Sequence, residues 1–428
     1  MSDRPPRLAI FGIAFGIRIA AILWAGPSGV GFGDAPDYLA TADKVCREHA
    51  YPDRGNLPFF RAPLLPAFIA VATFCHPERV ALVKIALALC DAATALVIGE
   101  IAWVLFASSA IATLAALLAA LDPFFVLGVV DVRTEPLFML LLTTAIWLFF
   151  RAIRNGTTPV LFLAGAAFGL AALTRPAGLA ALAFAAITLV FAGGRASKAK
   201  KRGANVAALA LGAILALGPW IARNAVRYHE LILVNDAAGF SFWRGSHPEM
   251  DRIARIADAT EYRRAAWAFE TDLTPATART LEARSGSPRA RSRAWLAAGL
   301  GNIRRDPGEA AAFAARRAWN YWRPWLNPQE HGDMAVFGSA ILNVALYALA
   351  AVGLARFRRS DAFLFGWIVA FLIVMWLVHI PHQVVMRFRI PFTDALLLVF
   401  AASATIHLAR WGASNPSFSD QPRRAPSS

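Results

Sequence analysis

Apolar residues fall in long runs broken by short polar turns, at roughly 8–25, 80–106, 108–122, 135–151, 159–174, 176–193, 204–222, 336–355, 361–380 and 390–409. Each run approaches the ~20 residues that a helix needs to cross a bilayer. The pattern therefore predicts an all-α polytopic membrane protein of about ten transmembrane helices. It also divides the chain. Residues 1–222 read as an N-terminal transmembrane region whose first outer loop is 26–79, 223–335 as a long outer loop, 336–410 as C-terminal transmembrane helices, and 411–428 as a disordered tail. The long loop exceeds a simple connection and is expected to pack on the membrane region as a helical extracytoplasmic cap. Its cations are all Arg, without a Lys. Within it, Asp306-Pro307-Gly308-Glu309 reads as a helix start, leading to an interfacial helix that ends on Trp319, Tyr321, Trp322 and Trp325.

The distribution of charge gives an orientation. With ten spans, the basic clusters at Arg4 and Arg7, Arg151 and Arg154, 195–202, 356–359, and Arg410 with Arg423 and Arg424 all fall on one side. The positive-inside rule makes that side cytoplasmic. Both termini are then cytoplasmic, in an inner (plasma) membrane, and the turns at Asp34, 131–135, 174–176 and 379–389 face outward with the long loop. The first run lacks a small-residue cleavage site and reads as a retained span. A composition 57% apolar and only 17% charged excludes an ordinary soluble protein of 428 residues. The net charge of +15 does not indicate nucleic acid, because the basic residues sit in short clusters between apolar runs. Cys46, Cys75 and Cys90 form no Cys-x-x-Cys pair and have no His at metal spacing. Cys46 and Cys75 share the first outer loop and would pair in an oxidising compartment, but unpaired thiols are the preferred reading. The chain has no repeat at fixed period, which weakens a transporter built from two related halves.

The outward turns carry the candidate chemistry. In Gly33-Asp34-Ala35-Pro36-Asp37-Tyr38-Leu39-Ala40-Thr41-Ala42, two carboxylates and a tyrosine follow a glycine-rich exit from the first span, at the lipid–water boundary. A helix beginning near Pro36 puts Asp34, Tyr38 and Ala42 on one face; the plainer alternative is that Asp34 caps it. Arg61-Ala62-Pro63-Leu64-Leu65-Pro66 sets one Arg before a rigid re-entry turn. Asp131-Val132-Arg133-Thr134-Glu135-Pro136 puts Glu135 at the mouth of a span, where capping or an Arg133 pair would serve as well. Arg175, and Arg223 with Asn224, stand at span ends and suit snorkelling anchors as well as ligands. His379, His382, Arg387 and Arg389 gather on the side where positive charge is disfavoured, and so require an anionic partner. A lipid phosphate is the obvious one, since Arg meets phosphate oxygens bidentately; ordinary anionic headgroups are the alternative. Sugar transfer from a polyprenyl phosphate needs this combination: a base for the incoming hydroxyl, and cations or a metal for the departing phosphate. A flippase or transporter of lipid-linked sugars would bind the same headgroup without breaking a bond. Against it, intramembrane charge is sparse: Lys84, Asp91 and Glu100 lie in one segment and form no path across several spans. A membrane scaffold explains the hydrophobicity but not the outward arginines.

In combination the chain resembles the GT-C glycosyltransferases, the superfamily of the protein O-mannosyltransferases and the lipid A aminoarabinose transferase. The resemblance covers most of the membrane region and rests on Gly33-Asp34-Ala35-x-x-Tyr38-x-x-x-Ala42, Arg61-Ala62-Pro63-Leu64-Leu65-Pro66, Thr134-Glu135-Pro136-Leu137-Phe138, Leu173-Thr174-Arg175-Pro176, Pro219-Trp220-x-x-Arg223-Asn224 and Arg387-Phe388-Arg389-Ile390-Pro391. It implies an inverting transfer from a polyprenyl-phosphate sugar donor to a hydroxyl of a lipid, glycan or protein acceptor at the extracytoplasmic face. The family's catalytic base falls on Asp34. Many relatives carry Asp-Glu here whereas this chain has Asp34-Ala35, so a divalent metal would have to draw on Asp37. The resemblance implies Arg223, Arg387 and Arg389 on the phosphate side, with Arg175 next. Tyr38, Arg61, Glu135, Asn224, His379 and His382 complete the candidate substrate-binding set.

Overall fold

The computed structural model describes residues 5–31, 33–54, 58–191, 199–282, 286–382 and 386–414. Among them all regular structure is helical. The first apolar helix, α1 (Arg7–Ala25), is followed by two loop helices, α2 (Ala35–Glu48) and α3 (Leu64–Ala72). The membrane region continues through α4 (Val80–Phe106), α5 (Ser109–Leu121), α6 (Pro123–Gly128), α7 (Glu135–Asn155), α8 (Thr158–Thr174), α9 (Gly178–Phe191) and α10 (Ala199–Tyr228). The long loop is helical: α11 (Ala238–Ser246), α12 (Pro248–Ala254), α13 (Ala259–Ala268), α14 (Thr274–Glu282), α15 (Pro288–Arg305) and α16 (Pro307–Trp322). Three helices close the fold, α17 (Asp333–Ser360), α18 (Ala362–His379) and α19 (Ala395–Ser414).

All ten predicted apolar segments are helical. Seven described helices are long and apolar enough to cross a membrane, while α5, α8 and α9 are shorter, at 13, 17 and 14 residues. Helix α19 runs to Ser414, past the expected start of the tail at 411. The rest of the tail lies outside the described residues, as do Arg4, Arg195 and Lys198 of the basic clusters.

Charge and small residues both set the packing. Arg18 of α1 is fully buried, pairs with Asp91 of α4 and donates to the carbonyls of Ala14, Ala119 and Ala120. Lys84 of α4 donates to the Gly26 carbonyl at 2.9 Å, and Glu100 pairs with Arg7. The three charges of α4 thus all turn to α1 and its exit, which removes unpaired charge from the apolar interior. Helices α8 and α10 lie so close that a Cβ on Gly165 would meet the Leu209 carbonyl, and one on Gly212 the Phe162 carbonyl. Small residues permit this kind of contact between membrane helices.

The first loop is tied at both ends. Cys46, near the end of α2, forms a disulfide with Cys75, just beyond α3, with Cα atoms 5.4 Å apart. This corrects the preference for unpaired thiols: α2 packs on α3, and that packing brings together residues separated by 29 positions. At the other end, Phe59 joins the cap core of Phe240, Trp243, Phe269 and Trp295, and the Phe60 amide donates to Asp236, which pairs with Arg291. The helix expected at Asp306 forms, with the Asp306 carboxylate accepting from the Glu309 amide; Tyr321 on it is fully buried, so only part of its aromatic end is available to an interface.

Candidate functional site

Asp34 stands at the entry to α2, yet its carboxylate makes no helix-cap hydrogen bond. It accepts instead from two guanidinium groups: Arg61 Nη2 at 3.0 Å on Oδ1, and Arg387 Nη2 at 3.0 Å on Oδ2. The capping alternative is therefore set aside. Arg61 also donates through Nε to Asp37, one turn into α2. Arg387 lies 3.6 Å from Glu135 Oε1 through Nε, and Glu135 lies 3.2 Å from Arg175 Nη1. A chain of alternating charge results, Asp37–Arg61–Asp34–Arg387–Glu135–Arg175, contributed by five separate stretches of sequence.

Local structure fixes most of these groups. Pro36 in the first turn of α2 orients the helix so that Asp37 and Tyr38 turn inward, 3% and 7% exposed. The Arg61 guanidinium is stacked over Tyr38 and Phe59, 4.9 and 5.4 Å from the ring centres, and its carbonyl accepts from the Tyr51 hydroxyl. Glu135 opens α7, with Pro136 behind it, and Arg175 ends α8 with its guanidinium over Phe388. Asp131 is an anchor: its carboxylate accepts from the Gly31 and Val132 amides, and the contact is so close that a Cβ on Gly31 would collide with it.

Burial pushes the Asp34 carboxyl up, but Arg61 and Arg387 outweigh that and hold it well below the usual carboxylate range. Burial likewise pulls the Arg387 guanidinium down, and Glu135 and Asp34 more than restore it. Burial also pushes the Tyr38 phenol up to about 12, so that it stays neutral. Asp34 is 32% exposed at its side chain, so the ionised carboxylate remains within reach of a ligand.

Other candidate residues lie elsewhere. Arg223 is held by Asn224 Oδ1, the Tyr228 hydroxyl and the Tyr51 carbonyl, and stacks among Tyr51, Trp220 and Tyr228; Asn224 itself donates to the Ile232 carbonyl. Arg389 is fully buried in a bidentate pair with Asp394, with Asn343 and Tyr347 completing its bonds. Both arginines therefore brace the scaffold outside the charge chain, because nearby protein groups already satisfy them. His379 is buried with Nδ1 2.6 Å from the Met375 carbonyl, against Tyr321, Phe388 and Phe392. His382 packs beside Gly245 of α11.

Sequence reasoning missed Arg244 on α11. It pairs with Glu270, its Nε is buried without a hydrogen-bond partner, and it is close enough to Asp34 and Arg387 for their charges to act on it. The all-Arg cation content of the long loop did not single it out among the many arginines there. A divalent metal does not fit this donor set: Arg61 already lies between Asp34 and Asp37, and among the described residues no three His, Cys, Asp or Glu side chains converge.

Residues 60–221 match the family described as dolichyl-phosphate-mannose-protein mannosyltransferase. No curated protein sequence matches the chain. Among solved structures it is similar to the Archaeoglobus fulgidus oligosaccharyltransferase in the apo form, with a TM-score of 0.55 and 16% identity over 96% of this chain and 52% of that one. The archaeal oligosaccharyltransferase AglB from Archaeoglobus fulgidus, in complex with an inhibitory peptide and a dolichol-phosphate, matches with a TM-score of 0.55 and 15% identity over 97% and 52%. The chain spans about half the length of these relatives. ArnT from Cupriavidus metallidurans, bound to undecaprenyl phosphate, matches with a TM-score of 0.44 and 14% identity over 95% of this chain and 79% of that one. The chain is a multi-pass membrane protein with the fold of the GT-C glycosyltransferases.

Proposed function

We propose that the chain is an inverting glycosyltransferase that moves a sugar from a polyprenyl-phosphate donor to an acceptor hydroxyl at the extracytoplasmic membrane face. The observation that carries this reading is the pairing of an ionised, partly exposed carboxylate, Asp34, with arginines contributed by distant turns. In the reaction, the acceptor oxygen attacks the anomeric carbon while its proton passes to Asp34. The bond from that carbon to the phosphate oxygen breaks, and its electron pair leaves with the phosphate. Arg387 and Arg175 are the cations for the phosphate, because their partners, Asp34 and Glu135, belong to the same charge chain, whereas Arg223 and Arg389 are tied to groups outside it. Asp37 positions Arg61, and through it Asp34.

The family match over 60–221 supports transfer chemistry, and the complex of a similar fold with dolichol-phosphate suits a lipid-linked donor. The test is release of free polyprenyl phosphate from a radiolabelled polyprenyl-phosphate sugar pool, in membranes that retain their native acceptors. Release by the wild type and none by Asp34→Asn is the expected result. Undiminished release by Asp34→Asn would move the base to Asp37 or Glu135, and no release by the wild type would overturn the reading.

A further inference from the structure

Arg387 has two claims on it. Its Nη2 holds Asp34 Oδ2 at 3.0 Å, yet under the reading above it also serves the donor phosphate. We propose that Arg387 is passed from Asp34 to the donor phosphate, so that arrival of the lipid unmasks the catalytic base. The inference rests on the glycosyltransferase reading and adds to it a mechanism that couples donor binding to acceptor activation.

A carboxylate clamped by two guanidinium groups is stabilised as the anion and draws weakly on a hydroxyl proton. Removing one clamp raises its proton affinity. The two clamps differ in how easily they leave. Arg61 is 8% exposed at its side chain, is stacked on two rings and is tied through Nε to buried Asp37, so it stays. Arg387 is 39% exposed at its side chain and rises from the short turn Met386–Phe388. A phosphate offers more charge and more acceptor oxygens than Asp34 does, and matches the guanidinium fork.

Two further donors suit the place to which Arg387 would turn. Arg244 Nε, on α11, is buried without a hydrogen-bond partner, and Arg175 Nη1, at the end of α8, is buried beside Glu135 Oε1 at 3.2 Å as an ion pair that makes no hydrogen bond. Buried donors of this kind cost stability until an acceptor reaches them. A phosphate held by Arg175, Arg244 and Arg387 would satisfy both, and would draw Arg387 off Asp34. The charged and titratable groups that surround Asp34 are Asp37 and Tyr38 on α2, Arg61 before α3, Glu135 on α7, Arg175 after α8, Arg244 on α11 and Arg387 itself. The consequence is order: the hydroxyl is activated only when the sugar donor is in place.

The experiment is an infrared titration of the full chain in lipid nanodiscs, labelled with 13C at the aspartate carboxyls. The Asp34 band is assigned by its loss in Asp34→Asn, and spectra are taken with and without undecaprenyl phosphate. Lipid binding is followed separately by tryptophan fluorescence. In the wild type, saturation is expected to raise the midpoint of Asp34 protonation by at least about one pH unit, tenfold in proton affinity. In Arg387→Gln the midpoint should start high and rise by clearly less than in the wild type on lipid binding. The bare negative charge of a nearby phosphate raises the midpoint in both proteins, so an equal rise in the two overturns the proposal. Binding by the wild type with an unmoved midpoint overturns it too, leaving the glycosyltransferase reading standing, whereas no binding at all counts against that reading first. Arg244→Gln guards against misfolding: it should weaken lipid binding several-fold while raising the lipid-free midpoint by much less than Arg387→Gln does, since Arg244 acts on Asp34 only at a distance, and a rise as large as that of Arg387→Gln would contradict the assignment.

Discussion

Arg387 donates to Asp34 at 3.0 Å across 353 positions of sequence, joining the turn before the last apolar helix to the loop after the first. Arg389 lies two residues further on and faces the other way, into Asp394.

That opposition separates two variants. Arg389→Ala leaves Asp394, 1% exposed, without its bidentate partner and should cost about 3–5 kcal/mol, as removal of one member of a buried pair does. Arg387→Ala should leave the thermal midpoint closer to that of the wild type but weaken polyprenyl-phosphate binding. Thermal melts and lipid titrations on the same samples check both.

Asp34 and Asp37 should divide in the same manner. Asp34→Asn is expected to lower transfer by roughly 10²–10⁴-fold, the usual contribution of a general base, with the fold intact. Asp37→Asn should lower stability as well as activity, because Asp37 is 3% exposed and bonded to Arg61. Lipid-phosphate release measured beside melting curves distinguishes the two.

Acid should weaken the ion pairs of Asp34 in one window. The folded-state carboxyl of Asp34 is held below its unfolded value, so its ion pairs contribute stability that is fully present above about pH 4 and is lost as the pH falls through the folded value. Between pH 8 and 5 this contribution should be constant. Chemical denaturation at a series of pH values should show an acid-side loss that is smaller in Asp34→Asn.

Gly165→Ala and Gly212→Ala should each destabilise the α8–α10 contact by roughly 1–3 kcal/mol, because the new Cβ meets backbone rather than a movable side chain. Gly12→Ala, where nothing lies within 4 Å of the added atom, is the control. Melting temperatures in one detergent provide the comparison.

Loss of the Cys46–Cys75 disulfide, by Cys46→Ser with Cys75→Ser, should cost about 2–4 kcal/mol. Melts with and without reductant should differ in the wild type and coincide in the double variant.

The apolar runs carried the helices, because a membrane span is encoded in consecutive residues. The same is true of Asp34, Glu135 and Arg175 as occupants of one face, since alternation of basic turns assigns each loop a side. Pairings across the chain were less accessible. Nothing near Arg387 and Arg389 says which of them turns toward Asp34; that depends on the tight turn and on Asp394 and Asn343 being available to hold Arg389. Arg18 sits alone in an apolar run, and its partner Asp91 is 73 positions away. Arg244 becomes visible only when α11 is laid over the loop that holds Asp34, and the disulfide only when α2 is laid on α3.

The short helices bear on how a lipid would reach this site under the proposed function. At 1.5 Å per residue, α8 and α9 extend about 26 and 21 Å, against a hydrocarbon layer of about 30 Å. Arg175 stands where α8 ends, and α9 turns Ile187, Val190 and Phe191 outward. If their far ends are level with those of the longer helices, the charge chain is sunk below the plane where those longer helices end. The leaflet beside α9 would then be drawn thin. A polyprenyl phosphate donor, as proposed, would descend with the leaflet to meet Arg175 and Arg387, without having to leave the bilayer.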